Sequence, residues 1–168
     1  QTTSPNVSVI GVDNAPAMIA QAREQLSDPR ARFECADLTE FAVIDAKVVV
    51  LNFVMQFLPP AARLPLLQRL RSQMRSDGLL IVSEKTHQSD ADVQKFYDNT
   101  HLAWKRANGY SELEVSQKRQ SLEQVMIVDS EEIHNQRFFD AGFAHSQTWF
   151  RCMNWASFLV EPERPQQQ

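Results

Sequence analysis

V-S-V-I-G-V-D-N, residues 7–14, is the stretch that decides the fold. An apolar run rich in β-branched residues ends in Asp13. With so little alternation, residues 7–12 read as a buried parallel strand. Pro16 then opens a segment with helical spacing, residues 15–26, and proline is tolerated in a first helical turn. A carboxylate where a buried strand gives way to a helix is how a nucleotide-binding α/β fold grips a ribose. In such folds the preceding strand ends in a glycine-rich turn. Only residues 1–6 stand before Val7, and the first is Gln1 rather than Met. The expectation is a domain without its first strand, first helix and glycine loop. A sheet so interrupted exposes two rows of backbone donors and acceptors. By itself the piece is expected to be poorly folded and inactive unless another chain supplies the strand.

Outward from this stretch, the elements alternate. Residues 31–35 form a short strand, with Asp37 in the loop beyond. Residues 46–53, A-K-V-V-V-L-N-F, give the strongest strand pattern in the chain, ending at Asn52 and Phe53. Residues 61–74 read as an amphipathic helix with Leu64, Leu67, Leu70 and Met74 on one stripe. Asp77-Gly78 reads as a helix-to-strand turn, followed by an apolar strand over residues 79–83. The order β-α-β-β-α-β predicts an α/β fold with a doubly wound, mostly parallel sheet. Two polar-rich helices follow, residues 91–107 and 111–124, joined at Asn108-Gly109. They lack a sheet partner in the pattern and read as a helical lid inserted into a single domain spanning residues 1–168. Asp129-Ser130 caps a further helix that Gly142 closes. Residues 143–152 and 154–160 predict a terminal antiparallel hairpin, and residues 161–168 a tail of low order.

Composition narrows the classes. The chain has 168 residues, 43% of them hydrophobic and 23% charged, as in a globular domain with a real core. A net charge of −4 gives no overall attraction for nucleic acid or an anionic membrane, so neither is expected as a direct partner. No apolar run approaches the roughly 20 residues that span a bilayer. Cys35 and Cys152 make no disulfide framework and read as reduced, half-buried thiols, which favours the cytoplasm. The four histidines, His87, His101, His134 and His145, show no metal-ligand spacing with the cysteines, so no metal is expected.

A parallel sheet ending in an antiparallel hairpin resembles the class I S-adenosylmethionine-dependent methyltransferase fold, which is Rossmann-like. Three segments sharpen the match: V-D-N-A-P-A-M-I at residues 12–19, V-V-V-L-N-F-V-M-Q-F-L at 48–58, and K-R-A-N-G-Y-S-E-L-E-V-S-Q-K-R at 105–119. With S-E-K at residues 83–85, they resemble the carboxy-S-adenosyl-L-methionine synthase family over nearly the whole chain. The resemblance implies conversion of S-adenosyl-L-methionine and prephenate to carboxy-S-adenosyl-L-methionine and phenylpyruvate. It further implies a homodimer, and a tRNA carboxymethyltransferase partner that uses the product at a wobble uridine. The family's glycine loop and N-terminal tyrosine have no counterpart in this sequence.

Each site residue carries two readings. Asp13 can accept hydrogen bonds from both ribose hydroxyls, or cap the helix that follows. Asn14 is similar to the family's second contact there, or is a turn residue. Asp37, in C-A-D-L, matches the position that meets the adenine amino group. A carboxylate accepts from an exocyclic amine and cannot donate to one. The backbone N–H of Leu38 matches the contact to a ring nitrogen. The alternative for Asp37 is a solvated loop residue. Asn52 lies at a strand C-terminal end, where open α/β sheets bind ligands, and the resemblance puts it near the sulfonium. Its apolar neighbours otherwise make it a buried amide that must be satisfied.

Arg119 matches the arginine that holds the carboxylate of the product. A planar guanidinium grips a carboxylate with two parallel bonds, and lysine cannot. Read from the residues alone, Lys118-Arg119 is a solvated basic face. Tyr110, Lys85, His87 and Trp104 are weaker candidates for the prephenate pocket, each with an ordinary role in packing or on the surface. The implied chemistry asks the protein chiefly to exclude water and hold its reactants close. Two other functions fit the residues: an ordinary small-molecule methyltransferase, or a non-catalytic subunit of a tRNA-modifying enzyme.

Overall fold

A computed structural model describes residues 7–116 and 125–163. These fall into two compact units divided after Ala42. In the first unit the apolar run forms β1 (Val9–Asp13), α1 (Pro16–Gln25) follows it, and β2 (Ala31–Cys35) returns parallel to β1. The register sets Gly11 opposite Phe33 and Asp13 opposite Cys35. A Cβ on Gly11 would lie 2.8 Å from the Phe33 ring, so glycine is what lets that ring lie over the strand. Val9 and Ile10 are exposed by about half, contrary to the buried strand expected from their composition. β1 has one hydrogen-bonded neighbour in this unit, and a strand is buried only where both of its faces are covered.

The second unit is a four-stranded mixed sheet in the order β3-β4-β6-β5. Here β3 (Ala46–Asn52) runs into a short 3₁₀ turn (Met55–Phe57) and α2 (Pro60–Gln73), then β4 (Met74–Lys85) pairs parallel to β3. After α3 (Ala91–Ala107) and α4 (Glu131–Asp140), β5 (His145–Cys152) and β6 (Trp155–Glu161) form the expected antiparallel hairpin. β6 pairs antiparallel with β4, which places the hairpin beside the parallel pair. Among the described residues no helix is long and apolar enough to cross a membrane.

Other sequence readings change in detail. Asp77-Gly78 is not a turn between elements, because β4 starts at Met74, paired with Ala46 across a register shift before Val48. Gly78 suits that close passage, since a Cβ there would lie 3.0 Å from the Arg75 carbonyl and 3.2 Å from that of Ala46. On α2, Leu67 and Leu70 are buried as expected, as is Met74 just beyond it, while Leu64 is half-buried and Arg63 and Leu66 join the buried face. Cys35 and Cys152 are free but exposed rather than half-buried, because each ends its strand at the rim of a sheet.

The inserted segment begins as read. Asp90 caps α3, its carboxylate accepting the N–H groups of Asp92 and Val93 at 2.8 and 3.1 Å. No residue of α3 is fully buried, so this cap is a large share of what starts the helix. Asp90→Ala is expected to lower thermal stability by about 1 kcal/mol, read as a shift in the melting curve. Residues 112–116 are helical, and the remainder of the second lid helix expected from the sequence lies outside the described residues. Ser130 caps α4 as expected, accepting the N–H of Ile133.

Candidate functional site

Two parallel strands that end in register bring their following loops to the same edge. In the first unit that edge gathers Asp13 and Asn14 after β1 with Asp37 and Leu38 after β2. The Asp13 carbonyl accepts the Ala36 N–H at 3.1 Å, tying the two loops together. Asp13 Oδ1 accepts the N–H of Ala15 at 2.7 Å. Asp13 is therefore not the helix cap, since the N-cap position is Ala15. Its exposed carboxylate is oriented by the turn beside the edge. Asp37 Oδ1 accepts both the hydroxyl and the N–H of Thr39, at 2.6 and 2.8 Å. Those bonds hold the Asp37 carboxyl below its usual range, so it stands as an ionised acceptor at neutral pH.

In the second unit β3 and β4 end in register, Asn52 opposite Ser83. Asn52 is exposed, which corrects the reading of a buried amide: Leu51 turns to the core and Asn52 to the opposite face. The chain then reverses sharply, with Phe53 at φ 57° and its N–H donating to the Ser83 carbonyl at 2.7 Å. A bulky residue in the left-handed region is disfavoured and persists where its surroundings hold it.

The holding group is Glu84, which is fully buried. Its Oε1 accepts the N–H groups of Val54 and Met55 at 3.0 and 2.8 Å, and its Oε2 that of Gln56 at 3.1 Å. Burial pushes the Glu84 carboxyl up to about 7, against the opposite pull of those N–H groups and the Arg63 charge. Gln56 completes the brace, its side-chain oxygen accepting the Lys85 N–H at 3.0 Å.

The remaining candidates divide. Lys85 is half-buried at the end of β4, while His87, Trp104 and Tyr110 are exposed. Trp104 stacks with His101 at 6.3 Å, and His101 meets the edge of Trp155 at 4.5 Å. Trp155 is the register partner of Lys85, so α3 and the start of β6 share an aromatic cluster beside that lysine. Arg119 lies outside the described residues.

Sequence reasoning missed Glu84 and Arg63 as organisers. The signal for Glu84 was alternation: Leu80, Val82 and Glu84 lie on one face of β4 and all three are fully buried. A carboxylate that continues an inward apolar face must find donors there.

A methyltransferase-domain family model matches residues 1–78. A carboxy-S-adenosyl-L-methionine synthase of Geobacter metallireducens is 48% identical over 163 residues, covering 94% of this chain and 67% of the relative. One of Pectobacterium atrosepticum is 45% identical over 93% of this chain and 65% of its own length. Among solved structures, the pyocyanin biosynthetic protein PhzM superposes with a TM-score of 0.67 at 17% identity, over 95% of this chain and 44% of that one. Human N-acetylserotonin methyltransferase, solved in complex with SAM, gives 0.64 at 14% identity, over 95% and 42%. The fold is thus that of the Rossmann-like methyltransferases. The chain spans about two thirds of the length of these curated relatives and under half that of the solved structures.

Proposed function

The chain belongs to the carboxy-S-adenosyl-L-methionine synthase family, and from that premise we propose that it serves the conversion of S-adenosyl-L-methionine and prephenate to carboxy-S-adenosyl-L-methionine and phenylpyruvate. The observation that carries the reading is the edge where Asp13, Asn14, Asp37 and Leu38 meet at the ends of two parallel strands. Asp13 and Asn14 take the ribose hydroxyls. The ionised Asp37 accepts from the adenine amino group, and the Leu38 N–H donates to the ring. Asn52, exposed at the end of β3, serves the sulfonium end. Arg119 takes the new carboxylate in two parallel bonds.

The reaction balances without an outside reagent. Prephenate gives up its ring carboxylate as carbon dioxide and a hydroxide as the ring becomes aromatic. The hydroxide and one proton of the sulfonium methyl make water, and the methyl carbon bonds to the carbon dioxide. The protein must hold that carbon dioxide beside the sulfur and keep bulk water out. The same reading gives a cytoplasmic homodimer whose product passes to a tRNA carboxymethyltransferase.

Purified enzyme is expected to form phenylpyruvate from prephenate only as S-adenosyl-L-methionine is consumed, followed by absorbance and mass spectrometry. Phenylpyruvate formed without that consumption would refute the coupling. Arg119→Lys is expected to lose about tenfold or more of the preference for carboxylated over ordinary S-adenosyl-L-methionine, the difference between a two-bond fork and a point charge. Calorimetric titration with both ligands reads it, and equal ratios in variant and parent would refute the role of Arg119.

A further inference from the structure

Arg63 is an arginine with no exposed surface on the inward face of α2. Its planar fork makes four hydrogen bonds. Nε and Nη2 donate to the Leu58 carbonyl at 3.1 and 3.0 Å, Nη2 also to the Ile127 carbonyl at 2.8 Å, and Nη1 to Asp129 Oδ2 at 2.5 Å. These acceptors belong to separate parts of the chain. Leu58 closes the turn that follows Asn52. Ile127 and Asp129 belong to the strand of chain that returns from the helical insert. The return is tied to the same turn a second time, the Ile127 N–H donating to the Gln56 carbonyl at 2.9 Å. The departing foot of the insert meets it too: Thr86 and Asp129 form a parallel bridge, and the His87 N–H donates to the Asp129 carbonyl at 2.9 Å. Asp129 is also gripped by Arg137 at 2.7 Å.

We propose that Arg63 is a positioning residue that locks the turn after Asn52 and both feet of the helical insert into one frame, so that the turn keeps a fixed register against those feet. The inference rests on the reading that this turn meets S-adenosyl-L-methionine. Glu84 holds residues 54–56 without help from Arg63. Loss of the fork therefore leaves the turn shaped but unregistered against the insert. Lysine cannot replace it, having no planar fork to serve three acceptors in different directions.

The test is a split between binding and turnover in the purified enzyme. Arg63→Lys is expected to melt cooperatively and to bind S-adenosyl-L-methionine within about threefold of the parent. Its prephenate-dependent kcat is expected to fall by about a hundredfold, the scale of a small misplacement of reacting groups. In Arg63→Ala, millimolar guanidinium should restore part of that kcat and methylammonium should not. Asp129→Asn, which keeps the shape but removes the paired charge, should show the same split. Parental kcat in Arg63→Lys overturns the proposal. So does equal loss of affinity and turnover, or failure of all three variants to fold, since each marks Arg63 as part of the core alone. Asn52→Ala separates the underlying reading: unchanged S-adenosyl-L-methionine affinity in that variant removes the turn from the binding site, whatever the Arg63 variants do.

Discussion

Glu84→Leu is expected to leave the protein barely folded at neutral pH. The substitution strands the N–H groups of Val54, Met55 and Gln56 against an apolar side chain. Each buried donor without a partner costs about 1–3 kcal/mol, and three of them rival a typical total stability of roughly 5–15 kcal/mol. Phe53 adds to the loss, because the left-handed conformation beside Asn52 is no longer braced.

Glu84→Gln is the informative companion. Its amide keeps one acceptor oxygen and loses the charge. The Glu84 carboxyl has an ordinary value of 4.5 and stands at about 7 in the folded protein, raised mainly by burial. A carboxyl raised on folding contributes its stability below the unfolded value and loses it as pH rises through the folded one. That contribution is about 3 kcal/mol. Urea unfolding at pH 4 and pH 8 should therefore show the parent ahead of Glu84→Gln at pH 4, with the gap shrinking by about 3 kcal/mol at pH 8. A gap independent of pH would show that the carboxyl titrates normally.

What could be read in the chain before its structure follows from what periodicity encodes. Strand β3, the hairpin of β5 and β6, and the Ser130 cap each depend on neighbours close in sequence, and each is found where expected. The edge that collects Asp13 and Asp37 was readable for the same reason, since parallel strands must end together. The failures share a different cause. Arg63 was invisible because charged side chains are assigned outward by default, and the partners that make its burial tolerable include Asp129 and Ile127, both distant in sequence. The exposure of Asn52 depends on which face of β3 the core occupies, which one apolar run does not state. Asp77-Gly78 has turn chemistry, yet the pairing of Met74 with Ala46 overrides it.

The largest opposing effect belongs to His134, which is nearly inaccessible and lies against Phe158 at 5.5 Å and Phe138 at 6.1 Å. Its Nδ1 has no hydrogen-bond partner among the described residues. Burial lowers the imidazole to about 4 from an ordinary 6.5, helped by the charges of Arg137 and Arg63 and opposed by Asp129. A histidine depressed on folding contributes stability above its unfolded value and loses it as pH falls through the folded one, about 3 kcal/mol in all. Phenylalanine is bulkier but equally flat, can stack on the same rings and cannot take up the proton. His134→Phe should therefore gain about 3 kcal/mol on the parent between pH 7 and pH 4, the reverse of the trend in Glu84→Gln. In the parent the two slopes oppose each other between pH 4.5 and 6.5, where Glu84 and His134 both titrate differently folded and unfolded. Its stability should be nearly flat there, and each single variant should uncover the slope of the other group. Parallel slopes in the two variants would contradict both assignments at once.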